Sequence, residues 1–164
     1  MATPTNLPAS FSDGNALSAS QLNDLRGAFR ILQVKHFETA TLVTSATTTF
    51  VASGLTLSIT PQSTSSKILI YTVSSIAKTA GNVSNAVNLR MRRGTTVLTS
   101  QTAVLFTGTA LIQVGTSPMI YLDSPNTTSA TTYDVQFANF TAAAQAEHNA
   151  NGSASTIVLM EVSA

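Results

Sequence analysis

The sequence predicts an all-β protein: an antiparallel β-sandwich or jelly-roll-like domain, preceded by a short N-terminal extended segment and one helix. Two observations favour this fold class. Apolar and polar residues alternate with a period of two in several segments after residue 30. Turn residues separate these segments at intervals of roughly ten residues, which gives about eight to ten short strands. The 164-residue chain therefore divides into residues 1–30, an N-terminal segment with a short helix, and residues 31–164, the β-sandwich body.

Residues 1–30 combine an extended stretch with a helix signal. Pro4 and Pro8 punctuate the extended stretch, and Ser18 with Gln21 forms a capping box that starts the helix. A single short helix cannot bury its apolar stripe alone, so the stripe must pack on the β domain, on other copies or on another protein. The candidate residues for attaching this segment to another protein are Phe11, Leu17, Leu22, Leu25 and Phe29.

The first half of the body predicts three strands. Residues 32–37 alternate, and Leu55, Leu57 and Ile59 form one apolar face of a half-buried strand that Pro61 ends. Residues 62–66 predict a turn. Residues 67–73 are apolar on both faces, which indicates an inner strand.

The second half predicts shorter strands and tight turns. Residues 87–92 alternate, and Arg93, Gly94 and Thr95 turn the chain into a strand that begins at residue 97. Further strands are predicted at residues 104–106, 111–114, 119–122, 133–137 and 156–162, with a turn at residues 125–126 and a loop at 149–153. The alanines between residues 142 and 146 predict one helical turn or a loop.

The chain is poor in charge. Asp, Glu, Lys and Arg make up 9% of the residues, against about 25% in an average soluble domain, and the net charge is +1. A weakly charged surface is poorly protected against association, so much of it is expected to be covered by partner subunits. The alternative is that a low charge content is simply the usual composition of β-rich extracellular or particle proteins. The small net charge argues against nucleic-acid binding, and no apolar run predicts membrane insertion.

No motif predicts an enzyme, a cofactor or a metal site. The seven carboxylates are scattered, and the sequence has no nucleophile elbow, phosphate-binding loop or dinucleotide-binding fingerprint. His36 and His148 are the only imidazoles, and neither belongs to a metal-ligand pattern, so they are interpreted as a strand histidine and a loop histidine.

One cluster of like charges stands out, formed by Arg90, Arg92 and Arg93. Arg90 and Arg92 fall on the same face of their strand, and Arg93 lies at the turn. These arginines are a candidate contact for an anionic partner, such as an acidic protein or an anionic glycan. A solvated face or a salt bridge between subunits is the alternative interpretation.

Several segments resemble structural proteins of bacteriophage virions, of the marine or cyanobacterial type. Residues 11–23 (FSDGNALSASQLN) resemble an N-terminal segment of tail-fibre and virion proteins. Residues 57–70 (LSITPQSTSSKILI), 121–128, 133–137 and 155–162 resemble their β domains. The alanine-rich stretch at 142–146 departs from that pattern, where a shorter strand or turn is expected.

The resemblance implies a homotrimeric tail fibre or fibre-adaptor component, assembled in the host cytoplasm and attached to other virion proteins through residues 1–30. A capsid decoration protein, also called a cement protein, or a head-fibre protein is the first alternative. From other functional classes, a glycan- or receptor-binding module and a small hydrolase stay open.

Overall fold

The computed structural model describes residues 30–79, 84–108, 111–142 and 144–163. The helix predicted within residues 1–30 lies outside them. The described residues form one short 3₁₀ turn, Ala150–Gly152, and no helix among them is long and apolar enough to cross a membrane. They also form ten strands: β1 Ile31–Thr39, β2 Val43–Ser45, β3 Val51–Ile59, β4 Lys67–Thr79, β5 Asn85–Arg93, β6 Thr96–Thr107, β7 Gln113–Asp123, β8 Thr131–Asn139, β9 Gln145–His148 and β10 Ser155–Val162.

The strands form two antiparallel sheets. The first sheet is built around β4, which pairs with β7 on one side and with β10 and then β9 on the other. Strand β1 flanks β10, and β2 flanks β9. The second sheet has the order β3-β8-β5-β6.

The chain alternates between the sheets so that β1-β10-β4-β7 stacks on β3-β8-β5-β6. Leaving aside the short strands β2 and β9, this order is the pair of Greek keys of an eight-stranded jelly roll. The predicted fold class, an antiparallel all-β sandwich, is confirmed.

The hydrophobic core lies between the two sheets and follows the period-two pattern. Ile68, Ile70 and Ile76 of β4 are fully buried, as are Leu89 and Met91 of β5. Each such side chain contributes about 1.5–3 kcal/mol of burial free energy. The core therefore accounts for the inward-facing apolar residues of the sequence, but not for those on the opposite faces of the same strands.

Two predictions from the second half of the chain are wrong. The predicted strands at 111–114 and 119–122 are one strand, β7, which begins at Gln113 and continues through Pro118. Among the described strands, β7 pairs only with β4 and lies at the edge of its sheet, so a residue without an N–H is tolerated there. Residues 104–106 likewise belong to the longer strand β6.

The end of the alanine-rich segment is also different from the prediction. Ala142 and Ala144 lie in the predicted loop, but residues 145–148 form strand β9. Strand β10 covers only the first half of β4, and β9 pairs with the second half, from Ile76 to Thr79. An open strand edge offers unpaired N–H and C=O groups, and pairing with them outweighs the helix propensity of alanine.

Candidate functional site

The candidate attachment residues Phe11, Leu17, Leu22, Leu25 and Phe29 all lie outside the described residues, so their role stays a prediction. The sites that the structure places are the arginine cluster, the buried polar groups and the outer faces of the two sheets.

The arginines at 90 and 92 bind neighbours on the outer face of the second sheet. The Arg92 guanidinium donates to the Asp134 carboxylate at 2.7 and 3.1 Å. Arg90 donates to the Gln136 side-chain oxygen at 2.8 Å, and its guanidinium carbon lies 4.2 Å from the centre of the Phe50 ring. Contact with an anionic partner stays a prediction, and such a partner would compete with these bonds within the chain.

The third arginine belongs to a buried network between the sheets. Arg93 donates to both oxygens of the Asp123 carboxylate at 2.8 and 2.9 Å. The Tyr133 hydroxyl, fully buried, donates to the same carboxylate at 2.7 Å. Burial and this hydrogen bond to Asp123 raise the pKa of Tyr133 far above its usual range. Arg93 therefore joins the β5–β6 turn to the end of β7, a structural role.

A depression of about 270 Å³ lies between β3, β8 and the β5–β6 turn. Its charged lining residues are Arg92 and Asp134, which bind each other, and the rest of its wall is small or apolar. No charged side chain of this wall is left to select a ligand.

A buried carboxylate marks the end of β10. Glu161 is fully buried and accepts hydrogen bonds from the Gln33 side chain at 2.6 Å and from the Gln62 backbone N–H at 2.7 Å. Burial raises its pKa, but the hydrogen bonds outweigh that effect, so the pKa of Glu161 lies below its usual value. The ionised carboxylate of Glu161 therefore links β10 to β1 and to the turn after β3 through hydrogen bonds.

The two histidines have different surroundings. His36 lies on the exposed strand β1, as predicted, 3.3 Å from the Thr156 hydroxyl. His148 was predicted in a loop, but it lies in β9, is fully buried and packs against Phe137 with ring centres 5.7 Å apart. Burial lowers the pKa of His148 to about 4. Within the described ranges, no group of three or more His, Asp or Glu residues is arranged to hold a metal ion.

The most extended unusual surface is the outer face of the β1-β10-β4-β7 sheet. Pairing register places Leu69, Leu122, Met160 and Val34 in one row across the four strands. Leu122 is 51% exposed and Val34 is 54% exposed. An outward-facing row of this kind is normally polar in an antiparallel sandwich.

The next row continues the same surface. Tyr71 is flanked by Ile120 and Val158, and His36 completes the row on β1. Ile120 is 64% exposed and Tyr71 39%. The two rows together form a continuous apolar surface, which we call the outer sheet face. In the sequence, the outer sheet face is indicated by residues 67–73, which are apolar on both faces of their strand. That pattern also fits an inner strand, which is the interpretation given above.

Comparisons with known proteins give a distant likeness in structure. No protein-family model matches the sequence, and neither does any curated protein. The fold is similar to a chain of the T13 IBDV viral particle, with a TM-score of 0.42, 8% identity, and 80% of this chain covered. It is similar to a chain of the infectious bursal virus derived T=1 particles, with a TM-score of 0.40, 10% identity, and 82% covered.

A third similar structure is dimeric latent PorU from Porphyromonas gingivalis, with a TM-score of 0.37, 10% identity, and 78% of this chain covered. The match spans 38% and 37% of the two viral chains and 13% of PorU. At such identities and TM-scores the likeness does not establish what this chain binds or assembles with.

Proposed function

We propose that this chain is a non-enzymatic structural protein of a virion, built as a homotrimer. Residues 31–164 form the jelly-roll body, and residues 1–30 attach it to other virion proteins. The observation that carries the proposal is the outer sheet face, an apolar surface spread over four strands of a chain that is only 9% charged. A contiguous exposed apolar surface is typical of a protein that works in contact with other proteins.

The polar groups of the body support a structural role. Three carboxylates bind side chains of their own chain. Asp134 pairs with Arg92, Asp123 pairs with Arg93, and Glu161 accepts a hydrogen bond from a glutamine side chain. A catalytic carboxylate needs a substrate-facing position and a partner with a matched pKa. These carboxylates instead join strands and turns.

Within the virion, we propose a tail fibre or fibre adaptor, supported by the resemblance of residues 11–23 to such proteins. A capsid decoration or head-fibre protein is the second candidate, supported by the jelly-roll topology, since jelly rolls are common in viral capsid domains. Copy number separates the two: a few trimers per particle, counted by quantitative mass spectrometry of purified virions, indicates a tail position, and tens or more indicate the capsid.

The attachment role is tested by deleting residues 2–29. The shortened chain is expected to stay soluble and trimeric but to be missing from particles assembled in a host that supplies it in place of the full chain. A second variant keeps the full length and changes Leu17, Leu22 and Leu25 to Ser, which removes three of the five candidate attachment residues, and it is also expected to be missing from particles. Normal incorporation of both variants would show that attachment does not use this segment.

A further inference from the structure

We infer that Asn151 is a site of spontaneous covalent modification, at which the side-chain amide is converted to a carboxylate through reaction with the backbone of Gly152. The only reagent is water. The inference is independent of the virion role proposed above. It follows from this pair of residues, from their exposure and from a comparison with a second asparagine of the same chain.

The residue after Asn151 makes this asparagine reactive. Asn151 is followed by glycine, and no other asparagine of the sequence is. Asparagine is a thermally labile residue because the next backbone nitrogen can attack its side-chain carbonyl carbon. A side chain on the following residue hinders this attack, and a β-branched side chain hinders it strongly. Glycine has no side chain and leaves the backbone the widest choice of conformations, so Asn151 is the asparagine best placed to react.

The reaction at Asn151 balances with water alone. The Gly152 nitrogen loses its proton to solvent and forms a bond to Cγ of Asn151, and the side-chain nitrogen leaves as ammonia. The product is a succinimide ring. Water then opens the ring on either side: breaking the bond to Cγ gives aspartate, and breaking the bond to the backbone carbonyl carbon gives isoaspartate. Each path consumes water, releases ammonia and changes no oxidation state.

The structure places the pair in an accessible turn. Residues 151–154 are exposed and lie between β9 and β10. Asn151 has a φ of 55° and a ψ of 30°, so a rotation about ψ must bring the Gly152 nitrogen to Cγ. An exposed turn makes such a rotation by local opening, without unfolding the sheets. The neighbouring Asn149 is fully buried instead, and its side chain donates to the Thr41 carbonyl at 2.7 Å.

The modification changes the charge and the backbone of this turn. A carboxylate at position 151 lowers the formal net charge of +1 by one unit. The isoaspartate path also inserts a methylene group into the main chain of the Ala150–Gly152 turn, across which the Ser153 N–H donates to the Ala150 carbonyl at 3.0 Å. The product therefore alters the connection between β9 and β10.

Asn126 is a matched comparison within the same chain. It is also exposed and left-handed, with a φ of 52° against 55° for Asn151. Thr127 follows it, and a β-branched side chain hinders attack by the backbone nitrogen of its own residue. The comparison of Asn151 with Asn126 therefore isolates the effect of the following residue.

The test is peptide mapping by mass spectrometry of the folded full-length chain during incubation, with fragmentation that distinguishes isoaspartate from aspartate. Asn151 is expected to become a mixture of the two, at least about an order of magnitude faster than Asn126. Its rate is expected to be higher in mildly alkaline than in neutral buffer, because the Gly152 nitrogen must lose a proton. Thr127→Gly is expected to accelerate conversion of Asn126 and to leave the rate at Asn151 unchanged.

Circular dichroism checks that both proteins stay folded during the incubation. An unmodified Asn151, equal rates at Asn151 and Asn126, or aspartate formed without isoaspartate overturns the inference. A rate at Asn126 that Thr127→Gly leaves unchanged overturns the role given to the following residue. The virion role is judged separately, by mass spectrometry of purified particles.

Discussion

His148 is a buried base whose two ring nitrogens have no hydrogen-bond partner among the described residues. Burial lowers its pKa from 6.5 to about 4, so the folded protein holds it neutral while the unfolded chain protonates it below pH 6.5. The stability that this creates is fully present above pH 6.5 and is lost as the pH falls towards 4. Protonation of this buried histidine is therefore coupled to unfolding.

We expect the wild-type free energy of unfolding to fall by about 2 kcal/mol from pH 7 to pH 5 through His148. His148→Gln removes the titrating group and is expected to flatten this pH dependence, whatever its own effect on stability. His36→Gln, on the exposed strand β1, is the control and is expected to keep it. Urea unfolding at the two pH values measures both, and an equal slope for wild type and His148→Gln would contradict the account.

The Tyr133 hydroxyl tests the network around Asp123. Tyr133→Phe keeps the ring in the core but leaves a buried carboxylate oxygen without its 2.7 Å bond. We expect a loss of about 1–2 kcal/mol in the free energy of unfolding. Tyr121→Phe, at a half-buried tyrosine of strand β7 in the other sheet, is the control, with an expected effect within about 0.5 kcal/mol. Equal effects of the two substitutions would assign no special role to the network.

At the scale of elements, the sequence predicts most accurately where alternation and turn chemistry agree. Strand β5 alternates Val87, Leu89 and Met91 with polar residues, and the turn after it has glycine at the required place. Strands β3, β8 and β10 follow the same rule. The prediction fails where pairing between distant strands decides the structure, because β9 forms by pairing with β4 and β2, and β7 continues through Pro118 while paired with β4.

Gly94 forms the two-residue turn between β5 and β6 and has a φ of +53°. A β-branched side chain strongly disfavours this left-handed conformation, so Gly94→Val is expected to lower the free energy of unfolding by about 1–2 kcal/mol. Gly108→Val is the control, because Gly108 lies outside the left-handed region and a Cβ there meets no atom within 4 Å. Chemical denaturation of both variants measures the difference, and equal losses would contradict the strained-turn explanation.

At the scale of the whole molecule, the sequence predicts the sandwich and its low charge but not which surface is exposed. The candidate arginines were found from their spacing, yet their partners Asp134 and Asp123 are 42 and 30 residues away in the chain. Spacing does not reveal such long-range pairs. The outer sheet face is hidden for a similar reason: its rows combine residues of β1, β4, β7 and β10, which only the topology brings together.

If sister chains cover the outer sheet face, the protein is an oligomer in solution, and the mass of the full-length protein tests this most directly. Light scattering on the chromatographic peak at micromolar concentration is expected to give about 51 kDa, three times the 17.1 kDa of one chain. A single species of 17.1 kDa at tens of micromolar would contradict it.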